Sequence, residues 1–394
     1  MPDAPAARGT SPLWAILAIT VLASLGTGVV WNGLAFITRE TYGYGEAANL
    51  LLAVFNGAVY VLAAFGAGPL MRRLRRWTSP RGLLVAVLAV QAACCPLPVA
   101  FESSVAIWVV AGLLSAASAV QWPLIESYLT AGRHGAEMRR TIGWWNIAWM
   151  SAVFLSLFGM GPLVGGGLAE WSLAALGVLF AVGAAITLVL PIEPSPHADE
   201  AVEAHVTAEY PRLLFSCRFL LPMSYVLVGA ISPLMPYLLA DLAAPLGVQT
   251  PITSLWLLAR VASAAIMWRT HFWHGRWTTL VVATALMVGG FGVMVLADSL
   301  LAMRVGLLAF GFGQGIVYYA ALYYAMAVGR AGVDAGGTHE GLIGLGYGVG
   351  PAAALAGSLV AGAPGIVAAV WIVVGITALP AALPLIRRRA PPPA

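Results

Sequence analysis

The chain has 394 residues, 60% of them hydrophobic and 9% charged, with a mean hydropathy of +0.88. A soluble domain is about a quarter charged, so this chain cannot cover a water-facing surface and takes lipid as its solvent. The net charge of +4 is compatible with nucleic acid, but every basic residue is an arginine and most fall in short loops between apolar runs, which makes them topology signals.

In chain order, Met1–Pro12 carries Asp3 and Arg8 and precedes a long apolar run. Ala23 and Ser24 are small enough for leader cleavage, but the run is long and a polytopic chain follows, so a retained first span is expected. The apolar runs predict helices over Leu13–Ile37, Asn49–Met71, Gly82–Val99, Val105–Leu129, Thr141–Val164 and Trp171–Leu190. After a polar stretch, six more follow: Phe219–Leu239, Ile252–Trp268, Trp277–Leu296, Leu300–Tyr324, Gly341–Ala361 and Gly365–Ile386. The fold class expected is an all-α membrane protein of about twelve transmembrane helices in two six-helix halves. Runs of about twenty apolar residues exclude a β-barrel, whose strands alternate.

The interruption at 191–218 holds Glu193, Asp199, Glu200, Glu203 and Glu209, with Pro191, Pro194 and Pro196 at its start. It reads as a linker between an N-terminal half (1–190) and a C-terminal half (219–394). Arg8, the cluster Arg72–Arg81, Arg133–Arg140, Arg212, Arg218, Arg269, Arg276, Arg330 and Arg387–Arg389 share one face, against Arg39 and Arg304 on the other. The positive-inside rule then places the linker and both termini in the cytoplasm of a cell or inner membrane. Cys94 and Cys95 are adjacent in an apolar run and Cys217 stands apart, so no disulfide framework is expected.

An internal echo supports two halves. The fifth helix carries Gly159-Met160-Gly161-Pro162 and the eleventh Gly348-Val349-Gly350-Pro351. Six-plus-six repeats around a midplane cavity characterise one large group of secondary transporters.

Here the chain resembles the major facilitator superfamily. Gly68-Pro69-Leu70-Met71-Arg72-Arg73-Leu74-Arg75-Arg76 is similar to that family's loop signature between helices two and three, with Arg72 where the family usually has an aspartate. The charge pairing at that cytoplasmic gate therefore differs here. Gly161-Pro162-Leu163-Val164-Gly165-Gly166 resembles the glycine-proline motif of the family's antiporters, although plain tight packing explains it as well. The arginine that proton antiporters of the family carry on helix four is missing, with Trp108 near its place.

The resemblance implies that helices one, four, seven and ten line a pathway, that two, five, eight and eleven flank it, and that the rest face lipid. Asn32, Asn56, Gln121, Glu126, Asn146, Arg260 and Gln314 all fall on the first two groups, Gln91 being the main exception. Unpaired polar groups are costly in lipid, so the sorting is informative. Arg260 is the sharpest candidate, since a mid-span charge costs on the order of 3 kcal/mol even on the lenient insertion scale. It serves either an anionic substrate group or a coupling carboxylate, or else a structural ion pair or a snorkelling role. Glu126 is a coupling or gate group, or a structural partner for nearby arginines such as Arg72. Gln314 and Tyr318 share a helix face and suit a binding wall, whereas Tyr323 and Tyr324 fit an interfacial belt better. Asn32 and Asn146 either bind substrate or bridge helices. His339 and Glu340 open the eleventh helix near the gate, and no acidic residue reads as mid-span.

The function expected is secondary transport of a small solute, an organic anion or polar metabolite, by alternating access. Proton-coupled multidrug efflux and a non-transporting membrane sensor are the alternatives. An intramembrane enzyme needs a nucleophile–base or metal cluster at one depth; the one close His pair, His271 and His274, reads as a solvated loop. No catalytic residue, metal or cofactor is expected. The partners expected are a small-molecule substrate, a coupling proton or ion and the bilayer, for a monomer that binds no nucleic acid.

Overall fold

The computed structural model describes residues 11–101, 103–133, 135–195, 209–328 and 333–389, and among them it holds helices and no strand. Twelve passes follow one another: α1 (Leu13–Tyr42), α2 (Glu46–Leu74), α3 (Pro80–Phe101), α4 (Ser104–Thr130), α5 (Gly135–Gly159 and Gly161–Gly165) and α6 (Trp171–Thr187). Then come α7 (Tyr210–Ile231 and Met235–Asp241), α8 (Leu246–Arg269), α9 (Trp277–Val295), α10 (Leu300–Val328), and α11 and α12, joined within Val333–Arg389 by a bend at Ala361 and Gly362.

Local chemistry sets several ends. Ser79 accepts from the Gly82 amide at 3.1 Å and Pro80 stands at the first helical position, so α3 starts there. Ser103 caps α4 in the same manner. At the close of α1, Gly43 takes φ +65°, and the amides of Gly43 and Tyr44 turn back onto Arg39 and Thr38.

Several helices extend past the expected boundaries, α5, α8 and α11 each starting six or more residues early, and at two further ends the local cause is visible. α1 runs to Tyr42 rather than Ile37, because Thr38 returns its hydroxyl to the Leu34 carbonyl and hydrogen-bonds Asn49, which removes the cost of extending a polar turn. α7 begins at Tyr210, inside the stretch read as linker. Its first turns bury Tyr210, Leu213, Leu214 and Cys217 at helical spacing, an amphipathic signal hidden among charges.

Large apolar side chains on the outside, such as Leu62, Val178, Leu359 and Leu379, form the surface that lipid covers. Between the halves, two seams pair α2 with α11 and α5 with α8. The first needs glycine: a Cβ on Gly57 would lie 2.7 Å from the Tyr347 carbonyl carbon, and one on Gly344 would meet Tyr60 and Val61. In the second, a Cβ on Gly161 would fall 2.6 Å from the Gly247 carbonyl oxygen and within 3.0 Å of Pro251, and one on Gly165 would sit 2.8 Å from Gly247. A Cβ on Gly166 would press on Pro162 of its own helix.

The echoed motifs therefore pack differently. Gly161 packs across the halves, whereas Gly350 packs inside its own half, on the backbone of Val226 and Ala230 in α7. Pro351 lies beside Gly229 on the same helix.

The end of the bundle away from the linker is closed by polar contacts between halves. Arg39 donates to the Pro236 carbonyl, and the Tyr237 hydroxyl accepts from Asn49 at 2.6 Å and donates to the Tyr44 carbonyl at 2.7 Å.

Candidate functional site

Arg260 enters the protein interior from the middle of α8, where α10 passes close enough that a Cβ on Gly315 would stand 3.0 Å from the Arg260 Cα. Glycine at 315 lets the two backbones meet, so Gln314 and Tyr318 of α10 face the same region. The Arg260 side chain is 3% exposed. Its guanidinium carbon lies 4.3 Å from the Trp149 ring centre and 4.9 Å from that of Tyr318. One terminal nitrogen donates to the Tyr225 hydroxyl at 3.2 Å, and Nε has no partner. Among the described residues no carboxylate lies within ion-pair distance of it.

The other predicted residues sort around this group. Gln314 is fully buried with both amide atoms unpaired, and the Gln121 carbonyl oxygen is buried and unpaired too. Asn146 is fully committed inside the protein. It donates to the Ile142 carbonyl and accepts from the Trp149 indole at 3.0 Å, holding the ring that stacks on Arg260. Asn32 accepts from Ser232 at 3.2 Å, a bridge between α1 and α7. Gln91 is buried and donates to Ser118 of α4.

Two readings of the acidic residues need correction. No ion pair joins Glu126 to Arg72: Arg72 is exposed near the linker end, and half-buried Glu126 makes no side-chain hydrogen bond or ion pair with a described residue. Glu340 does not open its helix, which starts at Val333. It is 7% exposed, accepts from the Tyr60 hydroxyl of α2, and interacts electrostatically with Glu126. Two carboxylates from opposite halves thus share the interior. The Tyr318 hydroxyl lies in electrostatic range of both and of Arg260. His339 has a side chain outside the described residues.

Sequence reasoning passed over the aromatic lining. Tyr225 and Tyr347 have ring centres 5.1 Å apart, and Tyr347 stacks on Trp31 at 4.2 Å. Trp31 in turn meets Tyr60 edge-on at 5.3 Å. A signal for Tyr347 was present: one large ring inside the run Gly344, Gly346, Gly348, Gly350, each glycine leaving room for a neighbour. Trp149 and Tyr225 carried none, since aromatic residues are common throughout the chain.

Among the described residues no three His, Cys, Asp or Glu side chains group as metal ligands. His271 and His274 contact each other edge-on at 5.1 Å, and His274 stacks on Tyr323 and hydrogen-bonds its hydroxyl at 3.2 Å.

A buried arginine in an aromatic frame, set between two six-helix halves, belongs to a recognisable architecture, and sequence decides which. The pattern of the Major Facilitator Superfamily matches residues 16–337. The chain belongs to the major facilitator superfamily. Solved members of similar fold include the nucleoside transporter NupG, 14% identical at a TM-score of 0.68 over 96% of this chain and 99% of that one. The human organic anion transporter MFSD10 (TETRAN) is 17% identical, with a TM-score of 0.63 over 94% and 98%. A POT family transporter in complex with 5-aminolevulinic acid is 11% identical, with a TM-score of 0.69 over 95% of each chain. At these identities the likeness concerns the fold alone. No curated protein matches the sequence. As a superfamily member the protein is an integral, multi-pass membrane protein of a transporter family.

Proposed function

We propose that the protein is an alternating-access secondary transporter of a small organic anion, with Arg260 as the anchor for the anionic group. The observation that carries this reading is a guanidinium 3% exposed with no carboxylate in ion-pair reach among the described residues. Burying a charge without a counter-charge is expensive, and a ligand carboxylate supplies it, with two parallel N–H···O bonds where geometry allows. Trp149 and Tyr318 hold the guanidinium plane, and the unpaired Gln314 amide gives a further donor and acceptor from α10.

Glu126 and Glu340 are the coupling pair. They stand on α4 and α11, one in each half, so that movement of the halves changes the surroundings of both carboxylates together. Rocking of the halves along the glycine seams exposes the site to alternate sides. In this reading the linker end faces the cytoplasm, with both termini, and the arginine distribution supports that orientation.

The test is a thermal-shift screen of the purified protein in detergent with organic carboxylates, neutral sugars and lipophilic cations, wild type beside Arg260→Ala. A ligand that binds only the native state raises the melting point by mass action. Stabilisation by carboxylates that disappears in the variant supports the anchor. Stabilisation by cations, indifferent to the substitution, overturns it.

A further inference from the structure

A polar cavity distinct from the Arg260 cluster lies where two irregular helices meet. In α1 the backbone makes a π-turn over Val29–Gly33, and in α7 the helix breaks between Ile231 and Met235, with Pro233 inside the break. Such π-turns occur disproportionately at functional sites. The cavity between them has a volume of about 30 Å³ and is lined by Trp31, Asn32, Asn56, Ser232 and Tyr347 among others. That is room for one or two water-sized groups, too little for a whole solute and enough for one substituent of it.

Its polar inventory is uneven. Ser232 is spent on the Asn32 carbonyl oxygen. Asn56 is 3% exposed, and its carbonyl oxygen has no partner. The amide nitrogens of Asn32 and Asn56 make no hydrogen bond with any described residue. The walls therefore offer a free acceptor and free donors, and no carboxylate. An ammonium group would be left without a counter-charge, and an alkyl group would leave Asn56 unsatisfied. A hydroxyl both donates and accepts, and it satisfies both sides. Tyr347 joins the two places: it lines this cavity, and its ring stands 5.1 Å from Tyr225, which holds Arg260.

We propose that the Asn32–Asn56 cavity is a subsite for a hydroxyl group of the transported anion, so that the substrate is a hydroxyl-bearing carboxylate spanning the Tyr225–Tyr347 wall. This rests on the anion reading of Arg260 and adds the second point of recognition. A site built to pair a hydroxyl discriminates against the analogue that lacks it, because its own buried groups are then left unpaired.

The experiment measures dissociation constants of full-length protein in detergent for carboxylate pairs that differ by one hydroxyl. These are benzoate and 4-hydroxybenzoate, phenylacetate and 4-hydroxyphenylacetate, and hexanoate and 6-hydroxyhexanoate, each on wild type, Asn56→Leu, Asn56→Ala and Arg260→Ala. At least one hydroxylated partner is expected to bind wild type roughly five- to tenfold more tightly than its parent. That preference vanishes in either Asn56 variant while the parent acid binds as before, and all binding is lost in Arg260→Ala. Two Asn56 variants guard against one failing to fold, with the ligand-free melting point as the control. If no hydroxyl preference exists, or if it survives in a folded Asn56 variant, the cavity holds only water and the subsite is overturned while the Arg260 anchor stands. If no carboxylate binds wild type, both readings fall together.

Discussion

Two arginines in this protein are equally buried and have opposite surroundings. Arg133 and Arg260 are each 3% exposed. Arg133, in the turn after α4, donates to the carbonyls of Tyr128, Leu129 and Ser11 and lies 3.7 Å from Glu137. Arg260 has one tyrosine hydroxyl, two aromatic faces and an unpaired Nε. The first is complete as it stands and ties the start of α1 to the α4–α5 turn. The second is missing what a buried cation requires, an anion. Burial alone does not separate a structural from a ligand-binding arginine; the inventory of partners does.

The contrast predicts opposite phenotypes. Arg133→Ala removes the donor from three carbonyls at once and should cost about 3 kcal/mol of stability, read as a lower melting point and poor recovery from membranes. If its melting point matches wild type, the structural assignment of Arg133 is wrong. Arg260→Lys should leave the melting point within a few degrees of wild type. Lysine keeps the charge but loses the planar fork and the aromatic stacking, so uptake of any carboxylate that binds wild type should drop by roughly tenfold or more. A large loss of stability with normal uptake would make Arg260 the structural member of the two.

The seam between halves gives a smaller effect. Gly57→Val places a branched side chain where a single Cβ already comes 2.7 Å from the Tyr347 carbonyl carbon. Overpacking of this kind costs about 1–3 kcal/mol. It should also slow transport more than binding, because α2 and α11 have to move against each other there. Equal losses in binding and transport would show that the seam is only packing.

How much of this could be read in the sequence follows from the type of signal each residue carries. The twelve passes were legible because lipid demands long apolar runs, and Arg260 because a charge in such a run has no cheap explanation. The start of α7 was hidden, since Tyr210, Leu213, Leu214 and Cys217 bury one face of a helix whose other face is charged. Glu340 was misplaced because helix ends in a polar turn leave no hydropathy edge, and its partner Tyr60 lies 280 positions away. Of the frame around Arg260, Tyr318 was singled out by its helical spacing to Gln314, whereas Trp149 and Tyr225 were out of reach for the same reason: the three rings come from three helices, and no local spacing joins them.

The smallest effect tests the histidine pair that the sequence presents as a solvated loop. His274 is packed on Tyr323 and Trp273 in the α8–α9 turn, outside the membrane spans. Burial, with His271 beside it, lowers its pKa from the usual value near 6.5 to about 4. A histidine with a depressed folded pKa favours the folded state only while neutral. Its contribution is therefore complete above pH 6.5 and is lost as pH falls from there towards 4. The melting point of wild type should decline across that window by more than that of His274→Gln, a substitution that keeps a hydrogen bond to Tyr323 within reach and does not titrate. Parallel declines for the two proteins would mean that the turn admits water freely and that the solvated reading of His274 was right.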